Sequence, residues 1–387
     1  MIRWFAFLVV LAFSGFGSAA EEAEARMPFF SWDAVPRYMH VRKVTAFSPA
    51  EIEYLATFPL LTFEKTTGQK EFGSTEKGTI VAARAVKSIN PATKILYYRN
   101  IFVHYSRYDS NDELKKIEDP FLRSGSGSTE LIRNQVPAYD LSNEKLQNWW
   151  LQSAGEVCSA PEIDGLFVDG NIKALEKGYL RAVVGAEKKD KVMEGYHEVM
   201  RRLPTALGSD ELIVSNIIRA RLDRSGLEHL SYFDGSYIEG FEHNVGRESR
   251  VDYLAKGIAA IQEAARSGKI IAFTMSTKAY SDTDMDEEGS KSRKRLVVFQ
   301  ERLTYTLALF LICAEKHSYF LLHDGYGVDG GESELWMKAI PEYERPLGPP
   351  RGKAIKQGTV YQRSFQYADV TVDIEKESAT ISWKSPS

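Results

Sequence analysis

Cysteine is scarce in this sequence, which has only Cys158 and Cys313 among its 387 residues. Two cysteines cannot supply the several bridges of a disulfide-stapled fold, and a chain of this length can bury a large apolar core instead. Both cysteines lie in apolar, helix-like stretches. We therefore expect two buried thiols rather than a disulfide framework.

An excess of charge of one sign is also missing. The chain has 49 Lys and Arg residues against 53 Asp and Glu residues, which gives a net charge of −4. Proteins that bind nucleic acids carry basic patches or a strongly basic domain. The composition therefore gives no reason to expect a nucleic-acid partner.

Long hydrophobic runs are few, and the longest lies at the N-terminus, where Arg3 precedes an apolar run from Trp4 to Phe16. This run is shorter than the roughly 20 residues that a transmembrane helix needs. Small residues follow it from Gly17 to Ala20, as at the cleavage site of a signal peptide. We predict a cleaved signal peptide over residues 1–20, no membrane span, and a mature chain that is secreted or periplasmic.

Several catalytic motifs are absent as well. No G-x-S-x-G occurs, which argues against the serine nucleophile of an α/β-hydrolase. His40, His323 and Asp324 could bind a metal, but no H-E-x-x-H or H-x-E-x-H spacing supports such a site. Residues 325–330 fit the dinucleotide pattern G-x-G-x-x-G, yet prolines from Pro341 onward leave no room for the helix that the pattern requires. We expect neither a metal nor another cofactor.

The sequence does contain an alternation of short apolar runs with longer amphipathic stretches, beginning at Pro36. This pattern is typical of βα units rather than of hairpins. Eight such units predict an α/β fold, a (β/α)8 TIM barrel, over residues 21–344. From Gly358 onward, runs at 359–365, 370–374 and 379–383 alternate with polar turns, which predicts a small antiparallel β module within residues 345–387.

Acidic residues stand near the ends of two of these strands. Asp169 follows the fourth apolar run, and Glu239 lies in the sixth, which extends from Tyr232 to Glu242. Each acid is followed by Gly and preceded a few residues earlier by Asp-Gly, so the two stretches are expected to occupy equivalent positions. Barrel ligands bind at the carboxyl ends of the strands, where these acids would face each other. Asp169 could alternatively cap the helix after its strand.

Two carboxylates across a barrel mouth are the arrangement that glycoside hydrolysis uses. One stays ionised to attack or stabilise an oxocarbenium-like centre, and the other protonates the leaving oxygen. The excursion over residues 101–140 leaves the end of the third strand and is predicted to form part of the site wall. Polar residues near other strand ends suit sugar hydroxyls, and we expect these to bind substrate: Glu64, Tyr98, Asn100, His104, Asn216, Arg219, His243, His323 and Asp324.

Three stretches resemble a known family. They are Gly165 to Asn171 (GLFVDGN), Tyr237 to Gly240 (YIEG), and the tail from Pro346-Leu347-Gly348 through Val360 to Phe365 (VYQRSF). These stretches are similar to glycoside-hydrolase-like proteins that are distantly related to endo-α-1,4-polygalactosaminidases and to the α-galactosidase clan. The resemblance extends over most of the mature chain. In that clan the nucleophile ends the fourth strand and the acid/base ends the sixth, which implies Asp169 and Glu239 here.

Together these features predict an exported glycoside hydrolase that acts on a poly- or oligosaccharide, with an α linkage implied by the resemblance, through a retaining two-carboxylate mechanism. The alternative is a catalytically silent barrel that binds carbohydrate, with the carboxylates only accepting hydrogen bonds from hydroxyls. An Asp169–Glu239 pair that lies too far apart or is ion-paired with arginine would favour this alternative.

Overall fold

The computed structural model describes residues 24–243, 248–277, 288–331, 333 and 335–385. The predicted signal peptide, residues 1–20, lies outside the described residues. Eight parallel strands pair in sequential order: β1 (Met39–Val41), β2 (Leu60–Phe63), β3 (Lys94–Asn100), β4 (Gly165–Asp169), β5 (Leu212–Ser215), β6 (Gly235–Ile238), β7 (Ile270–Ser276) and β8 (Ser318–His323). Tyr38 N–H donates to Phe320 O at 3.0 Å, and Phe320 N–H donates to Pro36 O at 2.8 Å. These bonds join the first strand to the last, so the sheet closes into the predicted (β/α)8 barrel.

Helices connect the strands on the outside of the barrel. Their bounds are α1 (Pro49–Leu55), α2 (Gln69–Phe72), α3 (Thr75–Ile89), α4 (Asn111–Leu114), α5 (Glu144–Cys158), α6 (Asn171–Leu175), α7 (Arg181–Val184), α8 (Ala186–Leu207), α9 (Arg250–Arg266) and α10 (Glu288–Cys313). Shorter 3₁₀ segments lie at Asp223–Tyr232, Asp329–Gly331 and Pro341–Glu344. Cys158 and Cys313 are both buried and free, as the sequence predicts.

Local sequence accounts for where some of these helices begin. At α1, the Ser48 side chain accepts from Glu51 N–H, the Glu51 carboxylate accepts from Ser48 N–H, and Pro49 takes the first helical position. Asn143 caps α5 in a similar way, with its side chain accepting from two backbone N–H groups. Such caps satisfy N–H groups that the helix itself leaves unpaired.

Two apolar clusters form the core, one on each side of the barrel wall. The outer cluster lies between strands and helices, and the inner cluster fills the barrel with residues that include Tyr38, Tyr98 and Phe167. Met27 and Phe30 pack against the inner cluster from the segment before β1. The Tyr319 hydroxyl donates to the carbonyl of Pro28 at 2.9 Å, which holds this segment in place. The barrel interior is therefore filled, so the strand ends at the mouth are what remains open to a ligand.

A second sheet follows the barrel, with strand order β12-β11-β10-β9 and antiparallel pairing throughout. Its strands are β9 (Ile355–Gln357), β10 (Val360–Ser364), β11 (Ala368–Asp373) and β12 (Ser378–Trp383). The antiparallel module predicted from the sequence is thus present. The sequence reasoning did not include β9, because all three of its residues are exposed and carry no alternating apolar signal.

Helix α10 packs against both the barrel strand β8 and the second sheet. Its segment Leu296–Cys313 is long and apolar enough to cross a membrane by composition alone, but 61% of that segment is buried inside the protein. Core helices meet the same compositional test. The apolar character of α10 is explained by its position between two sheets.

The sixth strand is shorter than the apolar run that predicted it. Tyr232 ends a 3₁₀ segment, and only Gly235–Ile238 forms the strand. Asp234 lies between them and uses its carboxylate to accept from the backbone N–H of Ile213 at 2.8 Å. The run was overestimated because apolar residues in a packed 3₁₀ turn give the same local signal as a strand.

Arg363 on β10 joins the second sheet to the end of α10. Its guanidinium donates to the carbonyls of Leu311 at 3.1 Å, of Ala314, and of Gly352 at 3.1 Å, and it pairs with Glu315 at 2.9 Å. The Arg363 side chain is 1% exposed. A cation at a helix C-terminus also stabilises the helix dipole.

We expect Arg363→Met to lower the free energy of unfolding by about 3 kcal/mol, because it leaves buried carbonyls without donors. Urea denaturation would measure the change. The matched control is Lys384→Met, which breaks an ion pair with Asp369 whose partners are 39% and 47% exposed. That loss should stay below about 1 kcal/mol. Equal losses in the two variants would contradict this role of Arg363.

Candidate active site

The inner face of the barrel places several of the predicted site residues in one layer. Alternate residues of a strand share a face, so the residue two positions beyond each inner-cluster aromatic also points inward. By this rule three polar side chains point inward: Asn100, two residues after Tyr98; Asp169, two residues after Phe167; and Glu239, two residues after Tyr237. The same spacing relates Tyr38 to His40 and Leu321 to His323. The strands thereby present a ring of polar side chains above an aromatic layer.

The repeated Asp-Gly pairs before β4 and β6 have a structural role. Asp164 accepts from the backbone N–H of Ile95 at 2.8 Å, as Asp234 accepts from that of Ile213. A Cβ at Gly165 would lie 2.1 Å from the carbonyl oxygen of the neighbouring Leu212, so a larger residue would force the strands apart. The two stretches therefore occupy equivalent places, and each fixes the strand that carries one acid.

Asp169 is held by two side-chain donors from the neighbouring strand β3. Its Oδ2 accepts from the Tyr98 hydroxyl at 2.5 Å and from Asn100 Nδ2 at 3.1 Å. Asn100 is itself fixed, since its Oδ1 accepts from the backbone N–H groups of Phe102 and Val103 at 2.9 Å and 2.6 Å. Helix α6 has Gly170 as its N-cap and no side-chain capping bond. The alternative that Asp169 caps this helix is therefore wrong.

The environment of Asp169 favours its ionised form. Burial by itself opposes the charge, but the Tyr98 hydroxyl, the Lys65 ammonium and the Gly170 N–H together outweigh burial and hold the pKa of Asp169 below its ordinary value. Asp169 is therefore a carboxylate at neutral pH.

Asn216 connects the two acids through a single nitrogen atom. Its Nδ2 lies 3.3 Å from Asp169 Oδ1 and 2.9 Å from Glu239 Oε2. The sum of these two distances, 6.2 Å, is an upper limit for the separation of the two oxygens. The strand ends of β4 and β6 thus bring the predicted pair together.

Glu239 also accepts from Arg219 Nη2 at 2.8 Å. The Glu239 side chain is 44% exposed, while that of Arg219 is 13% exposed. Glu239 is therefore partly accessible to solvent, and it has both an amide and a guanidinium beside one carboxyl oxygen.

A cavity of about 450 Å³ opens beside Glu239. Its walls come from the ends of β6, β7 and β8, and its lining includes His243, Thr274, His323 and Tyr326. Pockets of this size hold small molecules or part of a chain. The predicted residues His243 and His323 therefore lie with Glu239 on this cavity.

A cationic group, Lys65, was not found by sequence reasoning. Its ammonium pairs with Glu64 and lies 5.2 Å and 5.4 Å from the ring centroids of Tyr98 and Tyr105. Burial opposes its charge, but Glu64, Tyr105 and Asp169 together raise the pKa of Lys65. Tyr105 belongs to the excursion 101–140, so that segment reaches the strand ends. No local motif marks Lys65, since it lies two residues beyond the end of β2.

Tyr326, from the loop after β8, was also missed. Its ring stacks on His323 with centroids 4.1 Å apart, its centroid lies 4.9 Å from that of His40, and its hydroxyl is 2.5 Å from that of Tyr237. Burial, reinforced by Lys65, lowers the pKa of His40 to about 3, and burial beside His40 lowers that of His323 to about 3. Both imidazoles are therefore neutral at pH 7.

Two predicted substrate-binding residues do not reach the acid pair. The His104 ring contacts Tyr139 and Phe121 within the excursion, with its Nδ1 3.1 Å from the Tyr139 hydroxyl. Asp324 is buried and accepts from the Ser333 hydroxyl. Asp324 follows the inward-facing His323, so strand alternation explains why its side chain ties the next loop instead.

The described residues contain no group of three or more His, Cys, Asp or Glu side chains arranged to hold a metal ion. His40, His323 and Asp324 are not such a group, since Asp324 bonds to Ser333 and His40 lies beside aromatic rings.

Comparison with known proteins extends this picture. Residues 87–369 match the profile of hypothetical glycosyl hydrolase family 15. This match includes β3 to β8, and therefore both acids, and it continues through β9 and β10 to the start of β11. No curated protein matches the sequence significantly.

Solved structures agree on the fold. A GH36 alpha-galactosidase from Geobacillus stearothermophilus is 13% identical with a TM-score of 0.51, covering 90% of this chain and 48% of its own. The cyclic alpha-maltosyl-(1→6)-maltose hydrolase from Arthrobacter globiformis is 13% identical with a TM-score of 0.50, covering 88% and 91%. The chain spans about half the length of the galactosidase.

We expect Tyr98→Phe to raise the pKa of Asp169 toward its ordinary value, because the variant removes the shortest hydrogen bond to the carboxylate. The carboxyl ¹³C shift of Asp169, followed against pH, would measure it. Tyr97→Phe is the matched control, since Tyr97 belongs to the outer cluster. An unchanged Asp169 titration in Tyr98→Phe would contradict the assigned role of the hydroxyl.

Proposed function

The chain belongs to hypothetical glycosyl hydrolase family 15, and we propose that it is an exported glycosidase that cleaves α-linked poly- or oligosaccharides with retention of configuration. In this proposal Asp169 is the nucleophile and Glu239 is the acid/base. The observation that carries it is the shared Asn216 amide, which keeps the two carboxylates close at the mouth of the barrel.

The spacing of the acids supports retention. Retaining enzymes hold their carboxyl groups about 5 to 5.5 Å apart, and inverting enzymes about 6.5 to 9.5 Å apart to admit a water. The upper limit of 6.2 Å between Asp169 Oδ1 and Glu239 Oε2 lies below the inverting range. Direct attack by Asp169 is therefore better accommodated than attack by an interposed water.

In the first step, the Asp169 carboxylate attacks the anomeric carbon while Glu239 gives its proton to the glycosidic oxygen, which leaves with the rest of the chain. In the second step, Glu239 takes a proton from water, and the resulting hydroxide displaces Asp169 from the sugar. Tyr98 and Asn100 orient the attacking carboxylate, and Lys65 favours its charge. Burial of these groups strengthens their electrostatic effect.

The α linkage and the polymeric nature of the substrate rest on resemblance. The two solved relatives are named as an alpha-galactosidase and as a hydrolase of a cyclic alpha-linked maltose compound. Because both are only 13% identical to this chain, their structural similarity supports a shared fold alone. The preference for an α linkage is our extension from that similarity.

One observation favours the second candidate, a catalytically silent carbohydrate-binding barrel. A general acid has to hold a proton before it acts, whereas Arg219, 2.8 Å from Glu239, is a partner for a carboxylate. In a silent barrel this ion pair would be permanent, and sugar hydroxyls would only donate to the two acids. Turnover of a glycan by the wild-type chain would exclude this candidate.

We expect Asp169→Asn and Glu239→Gln to fold normally yet lose glycan hydrolysis. The loss for Glu239→Gln should be about 10² to 10⁴-fold in kcat/KM, the range for general acid–base groups, and that for Asp169→Asn at least as large. A panel of α- and β-linked oligosaccharides, with products identified by mass spectrometry, provides the assay. Asp324→Asn is the matched control, because the Asp324 carboxylate accepts a hydrogen bond from Ser333 in the loop after β8. Full activity in Asp169→Asn or in Glu239→Gln would refute the assignment.

The stereochemical outcome is a separate expectation. Proton NMR of the first product should show the same anomeric configuration as the substrate, because two displacements at one carbon restore it. The opposite anomer as first product would refute retention and leave the glycosidase assignment intact.

Export can be tested by finding the N-terminal residue and the location of the mature protein. We expect the mature protein from its native host to begin near residue 21, in the medium or periplasm, because residues 1–20 have the pattern of a cleaved signal peptide. N-terminal sequencing would show this. A mature chain that keeps residues 1–20 would contradict the expectation.

A further inference from the structure

Arg42, just after β1, belongs to the same inward-facing layer as the acid pair. Its backbone N–H donates to the carbonyl of Tyr326 at 2.9 Å, and its carbonyl accepts from Val328 N–H at 3.1 Å. These bonds continue the pairing of β1 by one residue. Because alternate residues of a strand share a face, Arg42 points into the barrel mouth as His40 does.

The cavity of about 450 Å³ has Glu239 and Arg42 among its lining residues. Of the described residues that line it, Arg42 is the one lysine or arginine. The Arg42 side chain is 31% exposed. Since Glu239 has to reach the glycosidic oxygen, one of the two sugars joined by that oxygen would lie in this cavity, beside a cation.

Most of the hydrogen-bonding capacity of Arg42 is free for a ligand. In the described part of the chain, its guanidinium makes one hydrogen bond, from Nη1 to Glu64 Oε2 at 3.4 Å. This is longer than the roughly 2.7 to 3.2 Å of an ordinary N–H···O bond. Glu64 also pairs with Lys65 through its other oxygen. Two cations therefore share one carboxylate, and the Arg42 fork keeps donors for a second oxyanion.

The proposed reaction changes the charge balance of the mouth. Six charged side chains lie there, three of each sign: Arg42, Lys65, Arg219, Glu64, Asp169 and Glu239. Before the first step Glu239 has to hold a proton, so the three cations face only Glu64 and Asp169. In the covalent intermediate Asp169 is an ester, and the three cations face only Glu64 and Glu239. Both states have one positive charge in excess.

Neighbouring groups do not remove this excess. The other carboxylate among the described lining residues is Glu242, which pairs with Arg250 at 2.9 Å and with Arg302. His40 and His323 are neutral at pH 7, as their lowered pKa values require. A negative charge on the substrate would balance the mouth in both states.

We propose that the sugar in this cavity is acidic and that its negatively charged group, a carboxylate or a sulfate, binds the Arg42 guanidinium. The inference rests on the proposed function, which supplies the two charge states. A guanidinium can bind such an oxyanion through two parallel hydrogen bonds. A neutral sugar would leave the positive excess in place, and a protonated amino sugar would increase it.

The test uses the full chain carrying Glu239→Gln, because the amide imitates the protonated acid and hydrolysis is suppressed. Isothermal titration calorimetry would compare α-linked trisaccharides that differ in charge: trigalacturonate with its methyl ester, and sulfated maltotriose with maltotriose. Arg42→Met removes the cation and leaves Glu64 paired with Lys65. Arg42→Lys keeps the charge without the planar fork. Arg84→Met is the matched control, since the Arg84 side chain is 65% exposed on the outer helix α3.

We expect at least one acidic ligand to bind about tenfold more tightly than its neutral counterpart, equivalent to about 1.4 kcal/mol. The pair that shows this preference distinguishes a carboxylate from a sulfate. Arg42→Met should abolish the preference without changing the affinity for the neutral ligand, and Arg42→Lys should weaken it. Arg84→Met should leave it unchanged. High salt should weaken it in the parent, because salt screens accessible charges.

Equal affinity of the parent for the acidic and neutral members of both pairs would overturn the inference, whether or not the Arg42 variants fold. A preference that survives in Arg42→Met, shown to be folded by thermal unfolding, would overturn it as well. An undiminished preference in Arg42→Lys would have the same consequence.

Failure of this inference is distinguishable from failure of the proposed function. Wild-type hydrolysis of neutral glycans, with no preference for acidic ones, would remove the acidic substrate and keep the enzyme. Binding of an acidic ligand that depends on Arg42, without any turnover by the wild-type chain, would keep the binding site and support the silent barrel.

Discussion

Side chains on adjacent residues of a strand point to opposite faces, and closing eight strands into a barrel turns one of those faces inward. The register that buries Phe167 inside the barrel therefore also sets Asp169 at its mouth, and the register that buries Tyr237 does the same for Glu239. A slip of one residue would put Val168 in the place of Asp169. The chemistry of the site thus depends on the packing of the aromatic layer below it.

Charges of both signs lie together at the mouth. Glu64 pairs with Arg42 and with Lys65, and Glu239 pairs with Arg219, while the Lys65 ammonium helps to hold the pKa of Asp169 below its ordinary value. The proposed reaction requires one of these pairs to open, because a leaving oxygen has to approach Glu239 where Arg219 now contacts it.

Much of the fold could be read from local sequence, because apolar runs alternate with amphipathic helices, and some of these helices begin at a side-chain cap such as Ser48 or Asn143. The acid pair could be found for a related reason, since Asp-Gly before a strand and acid-Gly after it are short-range patterns. Lys65 and Tyr326 could not be identified from the sequence, because they enter the site from segments beyond the strand ends. His104 and Asp324 were placed near strand ends correctly, yet their side chains point elsewhere, which loop geometry and strand alternation decide.

The sequence by itself determined the order of the strands, the β-rich tail, and the two acids at equivalent strand ends. These depend on periodicity and on glycine positions, which act over a few residues. Only the tertiary structure decided that Asn216 spans both acids, that Arg219 pairs with Glu239, and that Lys65 lies beside Asp169. Those contacts join residues from different strands and loops, and their distances are set by closure of the barrel rather than by any local stretch of the chain.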